Sequence, residues 1–201
     1  MRAAIRHLKK SDPVLGALIQ SVGRYGIQFL EPNFETLVKS IVYQQLSGKV
    51  ARVILGRLIA AMSDNRLTPE NILKLRPAKM RSLGLSRQKI AYIRDLARQT
   101  RDGKVVFETL PELPDHEVIE HLTAVKGIGV WTAHMFLIFA LRRHNVLPAG
   151  DLGIRTAIKK VYSLPELPHP REVEALAKDW HPYCTVASWY LWRSLDGQAG
   201  M

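Results

Sequence analysis

A single cysteine, Cys184, stands among 201 residues. It has no partner for an internal disulfide, and no four-cysteine zinc or iron–sulfur site can be assembled within one chain. The N-terminus, MRAAIRHLKKSDP, is basic but lacks a long apolar core, so neither a secretory signal nor a membrane anchor is expected. A reducing cytoplasm is the expected compartment. Acidic residues are scarce: 18 Asp and Glu face 29 Lys and Arg, a formal net charge of +11 that suits a polyanionic partner. Tandem repeats and low-complexity segments are absent. What remains is a chain with 47% hydrophobic residues, enough to bury one sizeable core or two small lobes.

The most informative stretch is residues 121–160. An amphipathic helical run ends near Val125, the chain turns at Lys126-Gly127-Ile128-Gly129, and a strongly apolar helix runs from Val130 to about Arg142. Two glycines flanking one apolar residue permit positive φ. They also leave unpaired N–H groups at the start of the next helix, where a phosphate oxygen binds. Lys126, Gly127 and Gly129 are therefore candidate DNA contacts. Farther on, Pro148-Ala149-Gly150 sets Asp151 at the N-cap of a helix carrying Arg155, Lys159 and Lys160. A carboxylate is thus presented beside a basic helix, with Arg155 a further DNA-contact candidate. Capping alone would explain Asp151 equally well, and spacing does not separate the two roles.

The remainder reads as a succession of helices. Ser11-Asp12-Pro13 starts one that Gly23 and Gly26 end, and Asn33 caps another whose apolar face is Phe34, Leu37, Val38, Ile41 and Val42. That helix ends in Gln44-Gln45-Leu46-Ser47, which from the residues alone is a polar junction with one buried leucine. Thr68-Pro69 and Arg76-Pro77 start two short helices, and Ser86 caps a longer one. On this last helix Arg87, Lys89, Arg94, Arg98 and Arg101 lie on outer faces, an arrangement that is usually a solvated surface. Residues 104–114 read as a connector in which KVVF is a short extended piece. A helix over 171–180 and another over 183–195 follow a proline-rich connector, and Trp180, Tyr183, Trp189, Tyr190 and Trp192 crowd this end. Aromatics at helical spacing are most often core. The fold class is all-α, with no sheet supported.

GIGVWTA followed some twenty residues later by LPAGDLGIR, with WxPYxxxAxWYLW near the C-terminus, resembles the helix-hairpin-helix DNA glycosylases. The closest likeness is to the DNA-3-methyladenine glycosylase II branch, and it covers most of the chain. The resemblance implies two helical lobes, approximately 1–40 with 150–201 and approximately 41–149, with the active site in the cleft between them. It implies a monomer that acts on double-stranded DNA, extrudes an alkylated purine such as 3-methyladenine, and hydrolyses its N-glycosidic bond. Asp151 would be the catalytic carboxylate, Gln44, Gln45 and Leu46 the plug in the vacated stack, and Trp192 a wall of the base pocket. Trp131, Tyr43 and Tyr25 are further aromatic candidates for a cationic base. Main-chain carbonyls of Thr123, Val125 and Ile128 would hold a monovalent cation, Na+ or K+. No iron–sulfur cluster is expected, unlike in cluster-bearing relatives. Trp131 stands where bifunctional relatives place a nucleophilic lysine, so no strand-cutting activity is expected. Two departures are visible: Lys126 replaces the proline common before the first glycine, and Cys184-Thr185 replaces the usual Arg-Ser. A non-catalytic DNA-binding module, or a glycosylase for another damaged base, stays open.

Overall fold

The structure, a computed structural model, describes residues 1–196. Among these residues the chain is all α, with two 3-10 turns and no strand. The helices in chain order are α1 (Arg2–Ser11), α2 (Pro13–Val22), α3 (Phe34–Tyr43), α4 (Gly48–Ala60), α5 (Pro69–Lys74), α6 (Pro77–Ser82), α7 (Arg87–Arg101), α8 (Asp115–Thr123), α9 (Val130–Phe139), α10 (Leu152–Val161), α11 (Pro170–Leu176) and α12 (Cys184–Arg193). They form two compact units, residues 30–141 and residues 1–29 with the segment from 142 onward. These divisions fall earlier in the chain than the expected 40/41 and 149/150. The first cannot lie at 40, because α3 continues through it and packs as one helix on α4 and α7. The second precedes residues 143–146, which are bonded to α12.

The unit built from the two chain ends packs α1, α2, α10, α11 and α12 around Leu8, Leu15, Ile154, Trp180 and Tyr190. Asp12 is its polar knot. One carboxylate oxygen caps α2 by accepting the Leu15 N–H at 2.9 Å, and the other accepts the Trp180 indole N–H at 2.8 Å and the Tyr162 hydroxyl. Burial and the adjoining carboxylate push the Tyr162 phenol well above its ordinary range. Helix α1 was not expected. Only Ala4 and Leu8 of it are buried and no side chain caps it, so its sequence carries too short an apolar stripe to announce a helix.

In the middle unit, Phe34, Leu37, Val38, Ile41 and Val42 are buried, as the spacing of α3 requires. Asn33, Thr68 and Ser86 each accept a backbone N–H at the start of α3, α5 and α7, as expected of such caps. The KVVF segment is not extended. The Lys104 and Val105 N–H groups both bond the Gln99 carbonyl, at 2.8 and 3.2 Å, so the chain folds back on the end of α7 and buries Val105 and Phe107. Nor is Arg94 a solvated charge. Its guanidinium donates to the Leu75 carbonyl at 2.8 Å and closes the C-terminal end of α5.

Candidate functional site

The hairpin between α8 and α9 is built on α7. Gly127 has φ +82°, and a Cβ there would lie 2.0 Å from Cδ2 of Tyr92, whose ring covers this residue. Glycine is therefore required twice over, by conformation and by space. Gly129 does not use the freedom that glycine permits. Its φ is −94°, which any residue adopts, and nothing lies within 4 Å of where a Cβ would stand. What its missing side chain provides is access to the first turn of α9, which no side chain caps. The Lys126 N–H donates to Asp95 at 3.0 Å. The Gln99 amide donates both to that carboxylate, at 2.9 Å, and to the Ala124 carbonyl, at 3.1 Å. Burial by itself would raise the Asp95 pKa, but the Lys126 N–H, Gln99 and Arg98 together hold it below the ordinary carboxylate value. The Lys126 side chain is exposed, whereas Ile128 is in the core.

The three candidate plug residues separate. Gln44 ends α3, and its amide turns back to donate to the Gly127 carbonyl at 3.0 Å. Gln45 adopts φ +56°, uncommon for a residue with a side chain, and is exposed. Leu46 follows, also exposed, so the expected buried leucine is not found. The turn is closed from behind by Lys89, whose ammonium donates to the Val42 and Gln44 carbonyls at 2.7 Å each. Burial lowers the Lys89 pKa. By its place on the helix alone, this lysine belongs among the surface charges. Its only local signal is a position three residues after the Ser86 cap, which says nothing about α3. Tyr43 lines a cavity of about 760 Å³ that it shares with Thr132, Met135 and Phe139. Trp131, in the first turn of α9, is half exposed.

In the other unit, the Asp151 N–H donates to the Pro148 carbonyl at 2.8 Å, closing the turn expected there. One Asp151 oxygen, Oδ1, accepts two bonds: the Ile154 N–H at 2.8 Å, which caps α10, and the Trp192 indole N–H at 2.9 Å. Capping and the aromatic partner thus coexist on a single atom. Gly153 makes this possible, since a Cβ there would lie 3.0 Å from that oxygen and 3.2–3.3 Å from the indole Cδ1 and Nε1. Gly153 was not foreseen, because a glycine inside a helix start gives no hint of which neighbours press on it. Arg155 donates through Nε to the Pro168 carbonyl at 2.7 Å, so part of its hydrogen-bonding capacity pins the proline-rich connector.

Thr185, one of the two departures, is buried. Its hydroxyl donates to the Arg143 carbonyl at 2.7 Å and accepts the Val146 N–H at 3.0 Å, anchoring the segment that leads to Asp151. The neighbouring Cys184 thiol is pushed up to about 11 by burial and is correspondingly unreactive. Tyr25 packs on Trp189, with ring centroids 4.7 Å apart, and on Tyr190. Burial, with a lesser effect of Tyr190, pushes its phenol up to about 12. Of the four candidate pocket aromatics, Trp192 is therefore joined to Asp151, Tyr25 packs in the cluster of Trp189 and Tyr190, and Tyr43 and Trp131 lie in the middle unit. Among the described residues no group of three His, Cys, Asp or Glu side chains is placed to hold a metal, and no helix is long and apolar enough to cross a membrane.

The profile of the HhH-GPD superfamily of base excision DNA repair proteins matches residues 38–182. DNA-3-methyladenine glycosylase 1 of Schizosaccharomyces pombe is 35% identical over 194 residues, covering 94% of this chain and 85% of its own. The solved structure of the S. pombe 3-methyladenine DNA glycosylase Mag1, in complex with abasic DNA, superposes with a TM-score of 0.84 at 35% identity and 96% coverage of both chains. A DNA-3-methyladenine glycosidase from Bacillus halodurans gives a TM-score of 0.88 at 35% identity, over 98% of this chain and 90% of its own.

Proposed function

The chain belongs to the HhH-GPD superfamily of base excision DNA repair proteins, and from that membership we propose that it is a monofunctional DNA glycosylase that releases alkylated purines such as 3-methyladenine from double-stranded DNA. The observation that carries this reading is the Asp151 carboxylate, set at the start of α10 with the Trp192 indole on the same oxygen. Breaking the bond from base to deoxyribose builds positive charge on the sugar, which a fixed carboxylate stabilises. An N-alkylated purine is already cationic, so it leaves without a strong acid, and its charge is attracted to an indole face such as that of Trp192.

The base must leave the stack first. Gln45 and Leu46, exposed at the end of α3, are the side chains we assign to the vacated space. The hairpin would take the DNA backbone, with the open N-terminus of α9 facing phosphate and Lys126 adding positive charge, and Arg155 would be a separate DNA contact of the other unit. Thr123, Val125 and Ile128 fit the monovalent cation that the resemblance implies. Thr123 is the last residue of α8, and carbonyls at a helix C-terminus carry partial negative charge and suit a hard cation. The Val125 carbonyl accepts one bond, from the Ile128 N–H at 3.1 Å, and a carbonyl has a second lone pair. When bound, the ion would add positive charge beside the phosphate. The reducing cytoplasm is the compartment we assign, where a single buried thiol stays reduced.

Incubating the protein with duplex DNA carrying methylated purines, and identifying the freed bases by chromatography, tests the proposal. Free 3-methyladenine is expected, with the strand intact until alkali is added and no adduct trapped by borohydride. DNA binding with no base released would favour the non-catalytic module. A trapped adduct would show an amine nucleophile that Trp131 cannot supply.

A further inference from the structure

The Lys89 ammonium reaches from α7 to the last carbonyls of α3 and gives each of Val42 and Gln44 a 2.7 Å bond. Those carbonyls lie where a helix leaves its acceptors unpaired and carries partial negative charge, so a cation there closes the helix. The bonds also fix the point at which the chain breaks away into Gln45 and Leu46. From the same place the Gln44 amide runs on to the Gly127 carbonyl of the hairpin. The hairpin in turn rests on α7 through the Tyr92 ring over Gly127, Asp95 on the Lys126 N–H, and Gln99 on the Ala124 carbonyl. Lys89, Tyr92, Asp95 and Gln99 follow one another at steps of three and four, and so share one side of the helix.

We propose that Lys89 is a positioning residue: it holds the Gln45-Leu46 turn at a fixed place relative to the hairpin, so that the space left by an extruded base is filled while the backbone is gripped. The inference rests on the reading of the chain as a base-extruding glycosylase. A direct phosphate contact is the weaker role for Lys89, because two of the three N–H donors of its ammonium are committed to carbonyls. A purely structural role makes a different forecast. Loss of stability slows every substrate alike, whereas loss of a positioned plug slows most those substrates whose extrusion is hardest.

Lys89→Met keeps the length of the stem and removes the donors. In single-turnover excision with saturating enzyme, it is expected to slow release from a well-paired, well-stacked lesion about tenfold. The same lesion in a mismatch, where unstacking costs less, should slow by less than about twofold. Lys89→Arg, which keeps the cation and its donors, is expected to recover most of the loss. Equal slowing of the paired and mismatched substrates, or none, would overturn the proposal. A second readout needs no chemistry: the fluorescence of 2-aminopurine opposite a stable abasic analogue rises when the base is unstacked. The rise should be smaller with Lys89→Met than with the wild type, and an equal rise would also overturn the coupling. Should the Met variant fail to fold, the Arg variant carries the paired-to-mismatched ratio, which must then lie between the wild-type value and tenfold. Should the wild type release no base at all, the glycosylase reading fails, and the fluorescence comparison still decides the role of Lys89.

Discussion

Replacing Asp151 by Asn separates its two roles, because the bond that caps α10 and the bond from the Trp192 indole end on one oxygen. The Asn side-chain carbonyl can accept the Ile154 N–H and the Trp192 indole N–H as Oδ1 does now, at 2.8 and 2.9 Å. What disappears is the charge. Its interaction with the start of α10 contributes about 0.3–1 kcal/mol, so the melting temperature should fall by no more than about 2–4 °C for a chain of this size. The loss of charge stabilisation in the transition state is larger, about 3–4 kcal/mol by comparison with other fixed electrostatic groups, or about a hundredfold to a thousandfold in rate. Asp151→Ala is the control. It removes the cap and the acceptor of the Trp192 indole together, and should cost about 2–4 kcal/mol of stability. Single-turnover excision of a 7-methylguanine, run beside a binding titration on abasic DNA and a thermal melt, reads all three quantities. Excision by Asp151→Asn at the wild-type rate would remove Asp151 from the chemistry. Loss of excision with a melting temperature as low as that of Asp151→Ala would reduce Asp151 to a helix cap.

Gly127→Ala should destabilise by about 2–4 kcal/mol, from the left-handed backbone and from overlap with the Tyr92 ring. In urea titrations, adding Tyr92→Ala should recover only the overlap part; full recovery would mean that φ +82° carries no strain. Gly153→Ala places a methyl 3.0 Å from the Asp151 oxygen, and should lower excision about tenfold by displacing that carboxylate or the indole, with little change in melting. Unaltered excision would show that the pair tolerates displacement. Asp95 titrates below its ordinary value of 3.8, so its contribution is complete above that pH and is lost as pH falls through the lower folded value. Protection of the Lys126 amide, taken relative to its intrinsic exchange rate at each pH, should accordingly stay high at pH 5 and fall in stronger acid. In Asp95→Ala, which removes the acceptor, protection should be low at both, and acid-independent protection in the wild type would contradict this.

What the sequence disclosed was the chemistry that acts over one helical turn. Asn33, Thr68, Ser86 and Asp151 could be placed as caps because a cap and the N–H it accepts are three residues apart, and the hairpin could be placed because its glycines adjoin it. The features that escaped depend on partners far along the chain. Lys89 and Arg94 look like surface charges until α3 and α5 bring carbonyls to them. Leu46 looks buried until the turn of Gln45 carries it outward. Gly153 is ordinary until Trp192, 39 residues later, is laid against it. The places where the two units divide escaped for the same reason, since a break at 29/30 leaves no mark in composition. Helix α1 is the exception, missed because its own apolar stripe is too short.

The side of α7 that carries Lys89, Tyr92, Asp95 and Gln99 also sets where length can vary. From Lys89 to Gln99 the helix advances about 15 Å, and each added residue would turn everything beyond it by about 100°. One residue inserted between these positions would therefore swing Asp95 and Gln99 off the hairpin while Lys89 stayed on α3, and a deletion would do the same in the opposite sense. Insertions beyond the buried Val105, Phe107 and Leu110, in the last residues before α8, leave the register of α7 untouched. Substitution and length change should thus be tolerated in different places: α7 admits a new side chain on its outer face but no new residue, and only the end of the connector, past Leu110, admits both.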